Sequence, residues 1–420
     1  MAKWSDIDPA EMHPESLMMT YGFRPEWSEG SASPPIFQTS TFVFPSAAVG
    51  AHCFEIAYGL AEPLPDEHPD LIYSRLNNPG MEMAEDRLAL WDRAESAALF
   101  SSGMAAITTT LWAHLRPGDV VAASSPIYGG AHHFIETVLP QYGIGSVRFD
   151  IHDTAEAIAE RIAATGLRLG MLYVETPANP TNDLIDLRMC ATLAARFSTP
   201  EHKVPLAVDN TFLGPVFQHP LEHGADIVVY SATKYLGGHG DLIAGAALGS
   251  HAMIDPIRAM RTFVGNMTNP FTAWLLTRSL ATLGLRMERQ ADNARTVADF
   301  LRDHPKVKSV NYLGHLAAGN SQFELFQRQC LGAGGMISFE IAGGRPEAFR
   351  FLDALRLFKL AVSLGSVDSL AEHPASMTHC EAGSEVNAAK GITEGLVRLS
   401  IGVEHPSDLI ADIGRALEAV

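Results

Sequence analysis

The chain is short of cysteine, of basic residues and of long apolar runs, and each shortage excludes something. Cysteine occurs four times in 420 residues, at Cys53, Cys190, Cys330 and Cys380. These are scattered, without metal-ligand spacing and without the density of a disulfide framework, which fits a reducing, cytoplasmic setting. Lysine and arginine number 30 against 48 aspartates and glutamates, a formal net charge of -18. That balance argues against nucleic acid as a partner, although a local arginine can still outvote the global field around a small substrate. No 18-residue stretch is free of charged or polar breaks, so no membrane span is expected. The start, Met1-Ala-Lys-Trp-Ser-Asp-Ile-Asp8, lacks the basic and apolar blocks of a secretory signal. There is no internal repeat and no low-complexity segment. What remains is ordinary globular composition, 47% hydrophobic and 19% charged, with length enough for two or three packed units.

Against that background Ser231-Ala-Thr-Lys234 stands out. It ends the apolar run Asp226-Ile-Val-Val-Tyr230 and leads into Tyr235-Leu-Gly-Gly-His-Gly240. The run reads as a buried parallel strand and the glycines as a loop that other backbone or a ligand can approach closely. An ammonium at such a place is costly to desolvate unless it is paired, neutralised or converted to an imine. Ser231 and Thr233 are hydroxyl donors suited to a phosphate; the competing reading is a solvated loop lysine, since short motifs match by chance. A second strand, Leu206-Ala-Val-Asp209-Asn-Thr211, ends in an acid. Asp209 would hold the protonated ring nitrogen of pyridoxal 5'-phosphate (PLP) while Lys234 forms a Schiff base with its aldehyde. The plainer alternative for Asp209 is a turn or helix-capping aspartate. Together the two strand ends are far more specific than either alone.

The rest of the chain supplies a frame for that pair. Residues 1–70 read as irregular, with a loop from Gly59 to Asp70 marked by Pro63, Pro65 and Pro69. An arm of that kind is expected to lie across a second copy of the chain. In Tyr73-Ser-Arg75-Leu-Asn-Asn-Pro79 an arginine and a tyrosine can clamp a phosphate. Ser102-Gly103-Met104 follows a short apolar segment and opens a helix, aiming free N–H groups at an anion. From residue 119 onward strands and helices alternate, with helices expected over 155–164 and 184–197 and a strand over 244–249. This implies right-handed crossovers and a mostly parallel sheet covered on both faces. Ligand sites in such sheets sit beyond the strand carboxyl ends. Tyr128, Glu175, Asn179, Asp209 and Lys234 all follow strand ends. After residue 305 the rhythm changes to strands over 307–313, 335–341, 360–363 and 396–401, with helices over 345–357 and 406–420. The expected division is an arm over 1–72, a large α/β domain over 73–270, linking helices over 271–304 and a smaller α+β domain over 305–420.

At this point the residues resemble a known family, the Cys/Met-metabolism (trans-sulfuration) PLP enzymes, a branch of the fold type I, aspartate-aminotransferase-like group. The matching pieces are Tyr73-Ser-Arg-Leu-Asn-Asn-Pro79, Ser102-Gly-Met104, Tyr128-Gly-Gly130, Glu175-Thr-Pro-Ala-Asn-Pro180, Val208-Asp-Asn-Thr211, Ser231-Ala-Thr-Lys-Tyr-Leu-Gly-Gly-His239 and Leu396-Val-Arg-Leu-Ser400, in family order. The resemblance implies that Lys234 carries the cofactor and later moves protons, that Asp209 holds the ring nitrogen and that Tyr128 stacks on the ring. It implies that Gly103, Met104, Ser231 and Thr233 hold the phosphate, with Tyr73 and Arg75 reaching it from a neighbouring subunit of a dimer, itself half of a tetramer. Asn179 and Thr211 would lie near the ring, and Arg398, helped by Ser363, would grip the substrate carboxylate. The implied chemistry is at the γ carbon of a sulfur amino acid. The C-terminal text 361–379 and 391–398 looks most like methionine γ-lyases. Gly130, however, stands where those carry a cysteine, and Tyr-Gly-Gly is the pattern of cystathionine enzymes. Carbon–sulfur γ-elimination is therefore the expected reaction, with γ-replacement as in cystathionine γ-synthase the alternative, and a non-catalytic PLP-binding regulator a distant one.

Overall fold

Short, largely apolar segments bounded by turns cannot be satisfied on a surface, and here they stack into one sheet. The structure is a computed structural model, and it describes residues 8–62 and 71–420. Seven strands carry the first sheet: β1 (Ser96–Phe100), β2 (Asp119–Ser124), β3 (Gly145–Phe149), β4 (Arg168–Glu175), β5 (Leu206–Asp209), β6 (Ile227–Tyr230) and β7 (Gly245–Gly249). Their order is β1-β7-β6-β5-β4-β2-β3. β2, β3, β4, β5 and β6 pair in parallel, and only β7 runs against its neighbours β1 and β6. The expected mostly parallel sheet is what the chain forms.

Side chains alternate between the two faces of this sheet, and helices bury both. Val228, Tyr230 and Ala246 pack on one side with Leu88 and Leu276 of the helices Pro79–Asp92 and Pro270–Leu280. Val229, Ala247 and Tyr173 pack on the other, with Ile107 and Ile254 of the helices Gly103–His114 and His251–Val264. Leu172, Val174 and Val208 meet the helices Ala155–Ala164 and Leu187–Phe197. Three crossover helices begin with a polar cap: Ser102 accepts from the Ala105 N–H, Thr154 from Ala157 and Asp186 from Arg188 and Met189. Because the crossovers start at the strand carboxyl ends, every such cap faces the same edge of the sheet.

A second, five-stranded sheet follows: β8 (Val307–Asn311), β9 (Met336–Ile341), β10 (Lys359–Leu360), β11 (Leu370–Glu372) and β12 (Leu396–Ser400), in the order β10-β11-β12-β9-β8. Its Ile337, Phe339, Val397 and Leu399 pack on Val297, Phe351 and Ile413 from the helices Leu283–Arg302, Arg345–Ala354 and Pro406–Glu418.

Three expectations are corrected. The stretch read as irregular contains the helix Ala47–Ala57, capped by Ser46 on Val49. Only Gly50 and Cys53 of that helix are buried, so it has no apolar stripe from which to be read. The strand expected over 360–363 stops at Leu360, and Ser363 takes φ +88, a left-handed conformation no strand residue adopts. The strand β11, which carries Glu372, was not expected. Pro63, Pro65, Pro69 and the first seven residues lie outside the described residues. No helix among the described residues is long and apolar enough to cross a membrane.

Candidate active site

The crevice beyond β4, β5 and β6 gathers the residues singled out above. Asp209 is the last residue of β5 and buried. Its Oδ1 accepts from the Thr211 N–H at 3.0 Å and the Thr211 hydroxyl at 2.5 Å, and its Oδ2 accepts from the Tyr173 hydroxyl at 3.3 Å. Burial pushes the Asp209 carboxyl up, and these donors pull it back. Thr211 is a bridge, since its oxygen also accepts the Ser231 N–H at 2.9 Å, which ties the end of β5 to the lysine loop after β6. Tyr173 carried no motif; its signal was only a phenol inside an apolar strand, a group that must find a partner when buried.

Lys234 donates from Nζ to the Ser363 hydroxyl at 2.7 Å. Burial first and the Arg398 charge second push its ammonium down to about 8. Ser363 also offers its carbonyl to Arg398 Nη2 at 2.7 Å, and its left-handed φ turns both groups into the crevice. Arg398 Nη1 reaches Asn179 Oδ1 and Glu372 Oε1, each at 2.9 Å. Arg398 and Glu372 are Cα partners on β12 and β11, so the antiparallel register sets that ion pair. Their side chains are 3% and 1% exposed, which makes the pair costly to break by removing one partner. Arg398 Nε and Glu372 Oε2 are both buried without a hydrogen-bond partner. Glu372 lay inside a quoted stretch, but nothing in one strand of sequence says which residue faces an arginine on the next.

The anion cradle forms where the helix Gly103–His114 starts against Ser231. A Cβ on Gly103 would stand 2.9 Å from the Ser231 Cβ and Oγ, so only glycine lets this backbone approach. The Ser102 hydroxyl is taken by the Ala105 N–H, and the first-turn N–H groups of Gly103 and Met104 have no acceptor within the helix. Thr233 sits beside the cradle with its hydroxyl exchanging hydrogen bonds with the Ala244 N–H and C=O at 3.1 Å. Tyr128 opens the turn after β2, the residue 45% exposed, and its N–H donates to Glu175 Oε2 at 2.7 Å. Glu175 Oε1 accepts the Asn179 N–H at 3.0 Å. Tyr73 and Arg75 are not joined to these groups. Both are exposed, and Arg75 Nη1 donates to the Thr262 carbonyl at 2.9 Å.

These groups fit a phosphorylated pyridine aldehyde carrying an amino acid. An amine tuned toward neutrality, a buried acid, a backbone anion cradle and a guanidinium with a spare buried donor are the four parts such a ligand needs. No cluster of His, Cys, Asp or Glu among the described residues has the make-up of a metal site.

Comparison with known proteins agrees. The family profile described as "Cys/Met metabolism PLP-dependent enzyme" matches residues 15–418. An L-methionine gamma-lyase of Pseudomonas putida is 41% identical over 401 residues, 95% of this chain and 96% of the relative. A cystathionine gamma-lyase of Bacillus subtilis is 38% identical over 97% of this chain and 100% of the relative. Among solved structures, cystathionine gamma synthase of Xanthomonas oryzae pv. oryzae superposes with TM-score 0.86 at 32% identity, covering 97% of this chain and 98% of that one.

Proposed function

The chain belongs to the Cys/Met metabolism PLP-dependent enzyme family, and from that premise we propose that it cleaves a carbon–sulfur bond at the γ carbon of methionine or cystathionine, releasing the sulfur as a thiol and, with uptake of one water, giving 2-oxobutanoate and ammonia. The observation that carries this reading is the Lys234–Ser363–Arg398 chain, which sets a proton-moving amine beside a carboxylate-binding guanidinium. Bound PLP supplies an electron sink for negative charge at the substrate Cα. Asp209 holds a proton on the ring nitrogen, with Thr211 and Tyr173 keeping its carboxylate oriented. Gly103, Met104 and Ser231 bind the phosphate, with Thr233 shaping the cradle's wall. Arg398 takes the substrate carboxylate, positioned by Asn179 and Ser363. Lys234, with its ammonium lowered toward neutrality, takes a proton from Cα, gives it up and is then free to take one from Cβ, since chemistry at the γ carbon requires both and one mobile base reaches both. Tyr128 covers the ring and assists departure of the sulfur.

The γ-replacement reading is supported by Gly130. Tyr128-Gly-Gly130 is the pattern of cystathionine enzymes, and a Cβ at Gly130 would stand 2.7 Å from the Tyr128 ring and 2.8 Å from Met104 Sδ, so a larger residue there requires these neighbours to move. The catalytic unit is a dimer, within a tetramer, in which Tyr73 and Arg75 serve the neighbouring copy's phosphate. Their exposure, and that of Val43 (94%) and Phe263 (78%), supports this. A cytoplasmic location is supported by four unpaired cysteines, three of them buried. The test is direct. Purified protein loaded with PLP is given L-methionine, L-cystathionine, or an O-acyl-homoserine with cysteine. The expected product from the first two is 2-oxobutanoate; cystathionine from the last mixture without 2-oxobutanoate from the others decides for replacement.

A further inference from the structure

Buried backbone N–H groups need acceptors, and a side chain that satisfies two of them on different loops fixes those loops relative to each other. Glu175 does this. Its Oε2 accepts from Tyr128 N and its Oε1 from Asn179 N. Asn179 in turn holds Arg398 through Oδ1. Glu175 is anchored from behind, its own N–H donating to the Ser124 hydroxyl at 3.0 Å, and Ser124 ends the adjacent strand β2. One carboxylate thus links the turn that carries the ring-covering tyrosine to the turn that holds the carboxylate-binding arginine.

The acid is expensive where it stands. Glu175 is 5% exposed and is the Cα partner of Asp209 across β4 and β5, so two buried carboxylates lie side by side. Burial and the Asp209 charge both push the Glu175 carboxyl up. Glutamine would relieve that repulsion, but an amide has one acceptor oxygen where two N–H groups need one each. The geometry that demands glutamate is the double acceptor, not the charge.

We propose that Glu175 is a positioning residue that couples the Tyr128 wall to the Arg398 clamp, so that engagement of the substrate carboxylate and placement of the tyrosine ring are set together. This rests on the reading of the crevice as the PLP and amino-acid site. The experiment compares wild type, Glu175→Gln and Glu175→Asp, each loaded with PLP. It measures the visible circular dichroism of bound PLP, the PLP dissociation constant, kcat and KM separately, inhibition by glycine against inhibition by methylamine, and melting without PLP. Glu175→Gln is expected to melt within about 2 °C of wild type or above it, since a like-charge pair is relieved. Its KM should rise about tenfold, the loss of one hydrogen bond's worth of alignment, with a smaller fall in kcat. Its dichroism should change as the tyrosine wall shifts, and the preference for glycine over methylamine should shrink by about the same tenfold. Glu175→Asp keeps the charge but is one methylene too short to hold both N–H groups, and should fail in the same way.

Three results from the variants overturn the proposal. Glu175→Gln indistinguishable from wild type in KM and dichroism is one. Losses that simply track a fallen melting temperature are another, since they mark a structural role. Recovery by Glu175→Asp of what glutamine loses is the third, because charge beside Asp209 is then what matters. A wild-type chain that takes up no PLP overturns the site reading itself, and the proposal with it, and is told apart by the missing visible band.

Discussion

At the scale of single residues, the site is built from groups whose cost of burial is offset by a named partner. Asp209 has Thr211 and Tyr173, Arg398 has Glu372, and Lys234 has Ser363. Outside the site, Asp92 yields a pH prediction. It is 1% exposed, accepts the Tyr230 hydroxyl at 2.9 Å on Oδ1, and leaves Oδ2 buried without a partner. Burial pushes its carboxyl up to about 7 from 3.8, with the Tyr230 hydrogen bond opposing. Its folded-state value lies above the unfolded one. The protonated form therefore favours the fold, fully below pH 3.8, and this stability is lost as pH rises through about 7. The whole swing is on the order of 4 kcal/mol. Asp92→Asn keeps an acceptor for Tyr230 and removes the titration. Its melting temperature should pull ahead of wild type progressively between pH 4 and pH 7, levelling off above; a gap that stays constant over that window contradicts the assignment.

At the scale of elements, one contact decides whether the cradle exists: the first turn of the helix Gly103–His114 against the loop after β6. Gly103→Ala puts a methyl 2.9 Å from Ser231, with backbone as well as side chain in the way. The cost of such overpacking is roughly 1–3 kcal/mol. PLP affinity, measured by equilibrium dialysis, should fall about ten- to a hundredfold, while a helix cap intact through Ser102 keeps the fold. An unchanged affinity removes that helix from the cradle. The second sheet works through register. Glu372 meets Arg398 because β11 and β12 pair antiparallel, and Asn179 reaches the same guanidinium from the turn after β4.

At the scale of the whole molecule, the exposed Tyr73 and Arg75 lead to a mixing experiment. Lys234→Ala and Arg75→Ala, each nearly inactive alone, should recover about a quarter of wild-type activity when refolded together in equal amounts, because about half the dimers are mixed and each mixed dimer rebuilds one of its two sites. No recovery means that each copy completes its own site. The chain's own letters sufficed for the sheet, since short apolar strands alternating with helices have one economical way to bury themselves. They also singled out Lys234, Asp209 and Gly103 as candidates, because those residue types are physically odd where they stand: a cation and an acid at the ends of buried strands, and glycine at a helix start. The partners of those groups were not legible. Glu372 facing Arg398, Tyr173 under Asp209 and Glu175 across two turns are contacts between residues 26 to 47 positions apart in sequence. A strand's sequence tells which residues are buried but not which neighbour they face. That is decided only when sheet order and register bring separate strand ends to one edge.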